Sequence, residues 1–396
     1  MFEQRTTHRG GTWSRTGAVL TLVAVVGVAT ACSSSSGSSG SSGGSGAASG
    51  GIDLTIGMPD DFTGANAFAG VEQQQAAELA VTDANKKYPS VHVSLKTADT
   101  QSSPTAGVSA VQRLLSDSSV NAIVGIAFTQ TAQATIPLLA QDGRPAIMLQ
   151  VTDLTGGGNS VFSMSPPPAG EQKALVADGL TPANVKSVGI IYQDQPTLNA
   201  DRAALKTALS GAGMNVIGEQ GTSLTTTDFS PQITSVLGKH PDAIGIFAIP
   251  PATGTIVSQL RQQGFTGVLF GHEGDASTAF TKVAGKSADK FVLATRWNSA
   301  TATGDGKTFV DEFKAKYPSA GAPDQFGVAA YDAVLMLAQS ASKAKSNDKA
   351  ALVNQLRTGQ FTTAESPTLA FGSDNFIKVN GVVVKYNAAG ESEPAS

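Results

Sequence analysis

The chain has 396 residues, 41% of them hydrophobic and 15% charged, which is more than one compact domain usually needs, so two lobes are the expectation. A formal net charge of −4 and the lack of any basic run argue against a nucleic-acid partner. A single cysteine rules out an internal disulfide and a Cys-based zinc site, and His8, His92, His240 and His272 lack metal-ligand spacing, so neither metal nor cofactor is expected.

At the N-terminus, Arg5, Arg9 and Arg15 precede an uncharged run from Gly17 to Ala31. That run is about 15 residues, against the roughly 20 that a helix needs to cross a bilayer, so 1–31 reads as a cleaved export signal. Cys32 follows it directly and is itself followed by Ser33–Gly51, which has no charge, no aromatic and no large apolar side chain. Such a stretch cannot repay the entropy of ordering, and 32–51 is expected to be a flexible Ser/Gly tether. A thiol placed there has no core to enter. Val28-Ala29-Thr30-Ala31-Cys32 resembles a bacterial lipobox, with Ala29 where that pattern prefers Leu. Lipidation of Cys32 is therefore expected over a buried structural thiol.

From Ile52 the chain alternates short apolar runs with longer helical patterns, as parallel α/β structure does. The first series predicts strands at Ile52–Met58, Val91–Lys96, Ala122–Ile126 and Ala146–Leu149. Helices are expected at Ala65–Lys87, Thr105–Ser116 and from about Ala132, where Pro137 must sit in the first turn or kink the helix. After SMSPPPAGEQ a second series predicts strands near Ser187–Tyr192, Asn215–Gly218, Ala243–Phe247, Val268–Phe270 and Phe291–Thr295. Helices Asp201–Ala212, Phe229–Gly238 and Ala252–Gln263 fall between them, then a long helix Gln325–Ala344 and a late strand Val382–Asn387.

In open parallel sheets ligands bind beyond the carboxyl ends of the strands. The loops at those places, AFTQT, QVTDLTGGGN, QDQPTLN, AIPPATG and GHEGDAS, are rich in hydroxyls and poor in charge. They suit a small polar ligand better than a phosphate or a polymer. No nucleophile elbow, H-E-x-x-H, Walker loop or G-x-G-x-x-G occurs. Glu273 and Asp275 could form a carboxylate pair, but they lack a nucleophile or His partner, so an enzyme is not expected.

The opening strand with AGVEQQQAAELAVTDAN, the segments GIAFTQTAQATIPLLAQDGRPAIMLQVT and IGIFAIPPATGTIVSQLRQQGFTGVLFGHEG, and the late helix FGVAAYDAVLMLAQ follow one another in a telling order. Through them, Ile52–Asn387 resembles the type I extracellular solute-binding proteins of ABC importers, leucine/isoleucine/valine-binding branch. The resemblance implies an α/β, two-lobed type I periplasmic-binding-protein fold, each lobe a mostly parallel doubly wound sheet, joined by three crossovers. They would lie near Pro166–Gly170, Arg296–Ser299 and Leu369–Phe371. Lobe 1 would be 52–168 plus 298–369, lobe 2 169–297 plus 370–390, and 391–396 a tail.

The resemblance also implies a site. Ala127, Thr129, Gln150 and Thr152 match positions that hold the ligand carboxylate, and Glu273 matches an acidic residue that holds its ammonium. Positions where the branch often has aromatic rings fall at Thr197 or Leu198 and at Ile249, none of them aromatic. The implied protein is a monomer outside the cytoplasm, anchored to the outer face of the cell membrane by Cys32. It would close its lobes over an amino acid of branched-chain type and deliver it to an ABC permease. A ligand-sensing receptor of the same fold and a binder of another small carboxylate or amide remain alternatives.

Overall fold

The computed structural model of the protein describes residues 51–379 and 381–395. The expected signal, Cys32 and all of the expected tether but Gly51 lie outside them. In chain order, β1 (Ile52–Asp60), α1 (Ala67–Lys87), β2 (Val91–Asp99), α2 (Pro104–Ser116), β3 (Val120–Gly125), α3 (Thr129–Asp142), β4 (Ala146–Met148) and β5 (Val161–Ser163) build the first sheet and its flanks. Next come α4 (Ala169–Ala174), which runs on into a π-helical turn at Leu175–Leu180, β6 (Ser187–Gln193), α5 (Pro196–Gly211) and β7 (Asn215–Thr222). They are followed by α6 (Ser230–Leu237), β8 (Ala243–Phe247), α7 (Pro250–Gln262), β9 (Val268–Phe270), α8 (Thr278–Ala284) and β10 (Phe291–Thr295). Finally α9 (Gly304–Lys316), α10 (Gln325–Ala344) and α11 (Lys349–Thr358) return to the first lobe, and β11 (Val382–Tyr386) and β12 (Ser392–Pro394) to the second sheet.

The first sheet has the order β2-β1-β3-β4-β5 and is parallel throughout. The second has the order β12-β11-β10-β9-β8-β6-β7, with only β11 running against its neighbours, β10 and β12. Helices cover both faces, which is why the strands read as continuous apolar runs rather than alternating ones. In β1, Leu54, Ile56 and Met58 share a core with Ala76, Leu79 and Ala80 of α1 and Val328, Val334 and Leu337 of α10. Every residue of α10 from Gln325 to Ala341 is buried, so its apolar character extends all round the helix.

The elements β5, α4, α8, α9, α11 and β12 escaped the sequence reading. α3 starts at Thr129 rather than near Ala132, so Pro137 falls inside the helix and removes the hydrogen bond that its own N–H would have given to the Gln133 carbonyl. The end of the chain also differs from expectation. Phe371 and Ile377 pack in the first lobe's core, the Phe371 ring lies 4.8 Å from that of Phe162, and the Ile377 N–H donates to the Ser163 carbonyl at 3.0 Å. The third crossing therefore follows Val379 instead of falling at Leu369–Phe371. The expected tail is an edge strand, since β12 pairs with β11.

Candidate functional site

The parallel strands of both sheets point their carboxyl ends at one cleft between the lobes. It is a narrow cavity of about 50 Å³ lined by both lobes. On the first lobe the loop after β3 is held in an unusual shape. Gly125 has φ +150°, and a Cβ there would come within 2.2 Å of the Pro59 carbonyl oxygen. Ile126 follows at φ +59°, a conformation costly for a β-branched residue, and its N–H donates to the same Pro59 oxygen at 2.8 Å. This turn aims the start of α3 at the cleft. No side chain caps α3, so its first N–H groups have no side-chain acceptor.

Of the expected first-lobe residues, Gln150 and Thr152 line the cavity. Thr129 is buried behind it, and its hydroxyl accepts a hydrogen bond from the Thr197 hydroxyl across the cleft at 2.8 Å. Ala127 is 1% exposed, and its N–H is used by Asp60, so its neighbour Phe128 takes its place on the cavity wall. Phe68 of α1, Phe128 and Phe326 of α10 form an edge-on cluster, with ring centres 6.4 Å and 5.8 Å from Phe68. All three line the cavity. The aromatic surface absent at Thr197, Leu198 and Ile249 is thus supplied by the first lobe.

The second lobe contributes Thr197 at the start of α5, Ile249 before α7 and Glu273 after β9, as expected, together with Glu171, Gln195, Asp201 and His272, which the sequence reading missed. Gln193, fully buried, fixes the Ile249 loop by accepting its N–H at 2.9 Å. Burial lowers the His272 pKa to about 4, so the ring is neutral. Its Nε2–H donates to the Ala248 carbonyl at 2.9 Å, and its Nδ1 accepts from the Gly274 N–H at 3.3 Å, a tautomer assigned from those partners. His272 is therefore a brace for the Glu273 loop and has no lone pair left for base catalysis.

Arg296, at the second crossing, has a fully buried side chain. Its Nε lies 3.7 Å from Glu273 Oε1 and 3.5 Å from Glu365 Oε2, and its other nitrogens donate to the Met164 and Gln325 carbonyls. Glu273 Oε1 also accepts the Arg296 backbone N–H at 3.3 Å. Burial, reinforced by Glu273, pushes Asp201 up to about 8, and burial with Glu273 and Asp201 pushes Glu171 well above the carboxylate range. One wall thus offers donors and aromatic faces, the other carboxylates. Among the described residues no group of His, Cys, Asp and Glu could hold a metal ion, and none of their helices is long and apolar enough to cross a membrane.

The chain is similar to known proteins in sequence and in fold. "Leu/Ile/Val-binding protein homolog 3" of Brucella melitensis is 26% identical over 325 residues, covering 81% of this chain and 87% of the relative. "Leu/Ile/Val-binding protein BraC3" of Rhizobium johnstonii is 27% identical, covering 78% and 84%. Among solved structures, a leucine-binding protein LivK from Thermotoga maritima superposes with a TM-score of 0.78 at 21% identity, covering 86% of this chain and 97% of that one. LivJ of Streptococcus pneumoniae, in complex with isoleucine, gives 0.75 at 23%, covering 86% and 98%. The family model for periplasmic binding proteins matches residues 53–391, and the chain, a solute-binding protein and not an enzyme, belongs to that family.

Proposed function

We propose that the protein captures an amino acid of branched-chain type between its lobes and passes it to an ABC permease at the outer face of the cell membrane. The observation that carries this reading is the polarity of the cleft. An uncapped helix start with the Thr152 hydroxyl suits a carboxylate, Glu273 opposite suits an ammonium, and Phe68, Phe128 and Phe326 suit an apolar side chain. Relatives named for leucine, isoleucine and valine support it, as does the neighbour solved with isoleucine. The lobes meet through Thr197 and Thr129, the contact expected of a closed state.

A second reading, an aromatic acid as ligand, is favoured by the three Phe rings and by a structural neighbour from Rhodopseudomonas palustris in complex with 3,4-dihydroxybenzoic acid, at TM-score 0.78 and 19% identity. The carboxylates of the second lobe oppose a ligand that is only an anion. Thermal unfolding with L-leucine, L-isoleucine, 4-methylpentanoate and 3,4-dihydroxybenzoate separates the two, because a ligand of the folded state alone raises the melting temperature. A shift with the acids and none with the amino acids would reject the first reading. Membrane attachment through lipidated Cys32 belongs to the same proposal, and Cys32→Ala should move the protein from the membrane fraction to the medium. An unchanged membrane fraction would reject the anchor.

A further inference from the structure

We propose that Asp201 and Glu171 join Glu273 as a three-carboxylate seat for a primary ammonium, and that a ligand settling there drives a proton off the seat into solvent. The proposal rests on the amino-acid reading and goes beyond it, since that reading needs only Glu273. All three side chains line the cleft, and Glu171 and Asp201 are each 6% exposed. Glu171 Oε1 has no hydrogen-bond partner. The neutral His272 ring has its Nδ1 3.6 Å from Asp201, but that nitrogen is an acceptor already used by the Gly274 N–H and gives the carboxylate no hydrogen bond. A primary ammonium carries three N–H donors, and unsatisfied buried acceptors are costly to leave unmade.

The charges facing the seat cannot balance it without a ligand. Arg296 is its cation, and Arg296 is shared with Glu365 and lies in the field of Asp332. Asp275 lies behind His272 and accepts its backbone N–H at 3.2 Å, adding a further acid. The empty seat therefore keeps protons: Asp201, at about 8, is mostly un-ionised at neutral pH. An ammonium in contact favours the carboxylate form, so the Asp201 O–H bond breaks, the electron pair stays on oxygen, and the proton passes to the buffer. A quaternary ammonium, with no N–H to donate, would not be held in this way.

Isothermal titration at neutral pH in phosphate and in Tris, whose ionisation heats differ, counts the proton. The probes are L-leucine and 3-methylbutylamine, which is leucine without its carboxylate. Wild type should release about one proton per molecule of either probe. Asp201→Asn should bind both at least about tenfold more weakly and lose the buffer dependence. Glu171→Gln, a second variant for the case that the first does not fold, should weaken both in the same sense. Heats that do not depend on buffer, or variants that bind within about twofold of wild type, would overturn the seat even if leucine binds well. Amine binding with proton release but no leucine binding would keep the seat and reject the amino-acid reading; binding of neither probe would reject both.

Discussion

Glu273 carries the clearest single-residue test. Its carboxylate is already engaged by Arg296, and an ammonium held there is desolvated when the lobes close. Losing one partner of such a pair costs about 2–5 kcal/mol, so Glu273→Gln should weaken L-leucine by tens of fold or more while leaving 4-methylpentanoate within about threefold. Titration calorimetry reads both, and equal losses would place the amine elsewhere in the cleft. Gln150, Thr152, Thr197, Ile249 and Glu273 were legible because each follows an apolar strand closely, where the topology of a parallel sheet puts ligands. Glu171 and Asp201 were not. One opens a short helix just after a crossing, and the other sits inside α5, where an acidic residue reads as a solvated helix face. Their burial goes with the packing of α4 against α5 and their place in the cleft, and neither leaves a trace in local sequence. Phe68 and Phe326 were not read as site residues, because an aromatic side chain on an apolar helix looks the same whether it packs in a core or lines a cleft.

Among the elements, the turn from β3 into α3 is the one whose geometry the site depends on. Gly125→Ala would place a methyl against the Pro59 carbonyl at a φ that L-residues avoid, and should destabilise by about 1–3 kcal/mol and weaken ligand binding together. Urea unfolding with calorimetry checks both effects; a stable variant with unchanged affinity would show that the turn relaxes freely. The same comparison of elements explains what periodicity revealed. β8 is a short run, Ala243–Phe247, buried at every residue, and α10 is twenty residues of near-continuous burial, so their apolar signal is strong. β5 has only three residues after a glycine run. In α9 only Phe309, Val310 and Phe313, besides Gly306, are buried among many charged positions, too few to outweigh a polar pattern. The late crossing was hidden for another reason. Phe371 and Ile377 are held to the first lobe by single bridges and ring contacts, which no strand or helix pattern announces.

At the scale of the whole molecule, buried acids set how stability depends on pH. Asp60, Asp201 and Glu365 are pushed up to about 8 and Asp332 to about 7, burial being the largest cause in each. Unfolded, these groups ionise near 4, so between about pH 4 and 8 the folded protein binds more protons than the unfolded one and stability falls as pH rises. Hydrogen bonds from Lys96 to Asp117 and from Thr155 to Asp153 act in the opposite sense, holding those carboxyls low, but their contribution is lost only below about pH 4; His272, lowered to about 4 by burial, also opposes the acids between about pH 4 and 6.5, as one group against several. The melting temperature without ligand should therefore decline steadily from pH 5 to pH 8, and a rise over that range would contradict the buried assignments. The same cluster bears on motion. Few direct contacts join the two cleft walls: the Thr197 and Thr129 hydroxyls, and the Gln325 side chain donating to the Gly274 carbonyl at 3.4 Å. The buried acids of one wall hold their protons and lack hydrogen-bond partners when nothing fills the cleft, which favours opening to water. A ligand that touches both walls supplies the missing contacts and shifts the population toward closure. Arg296 lies on a crossing and holds the Met164 and Gln325 carbonyls, so the lobes should swing about it rather than separate. X-ray scattering should show a smaller radius of gyration with saturating L-leucine than without it; an unchanged radius would mean that the closed cleft forms without help from the ligand.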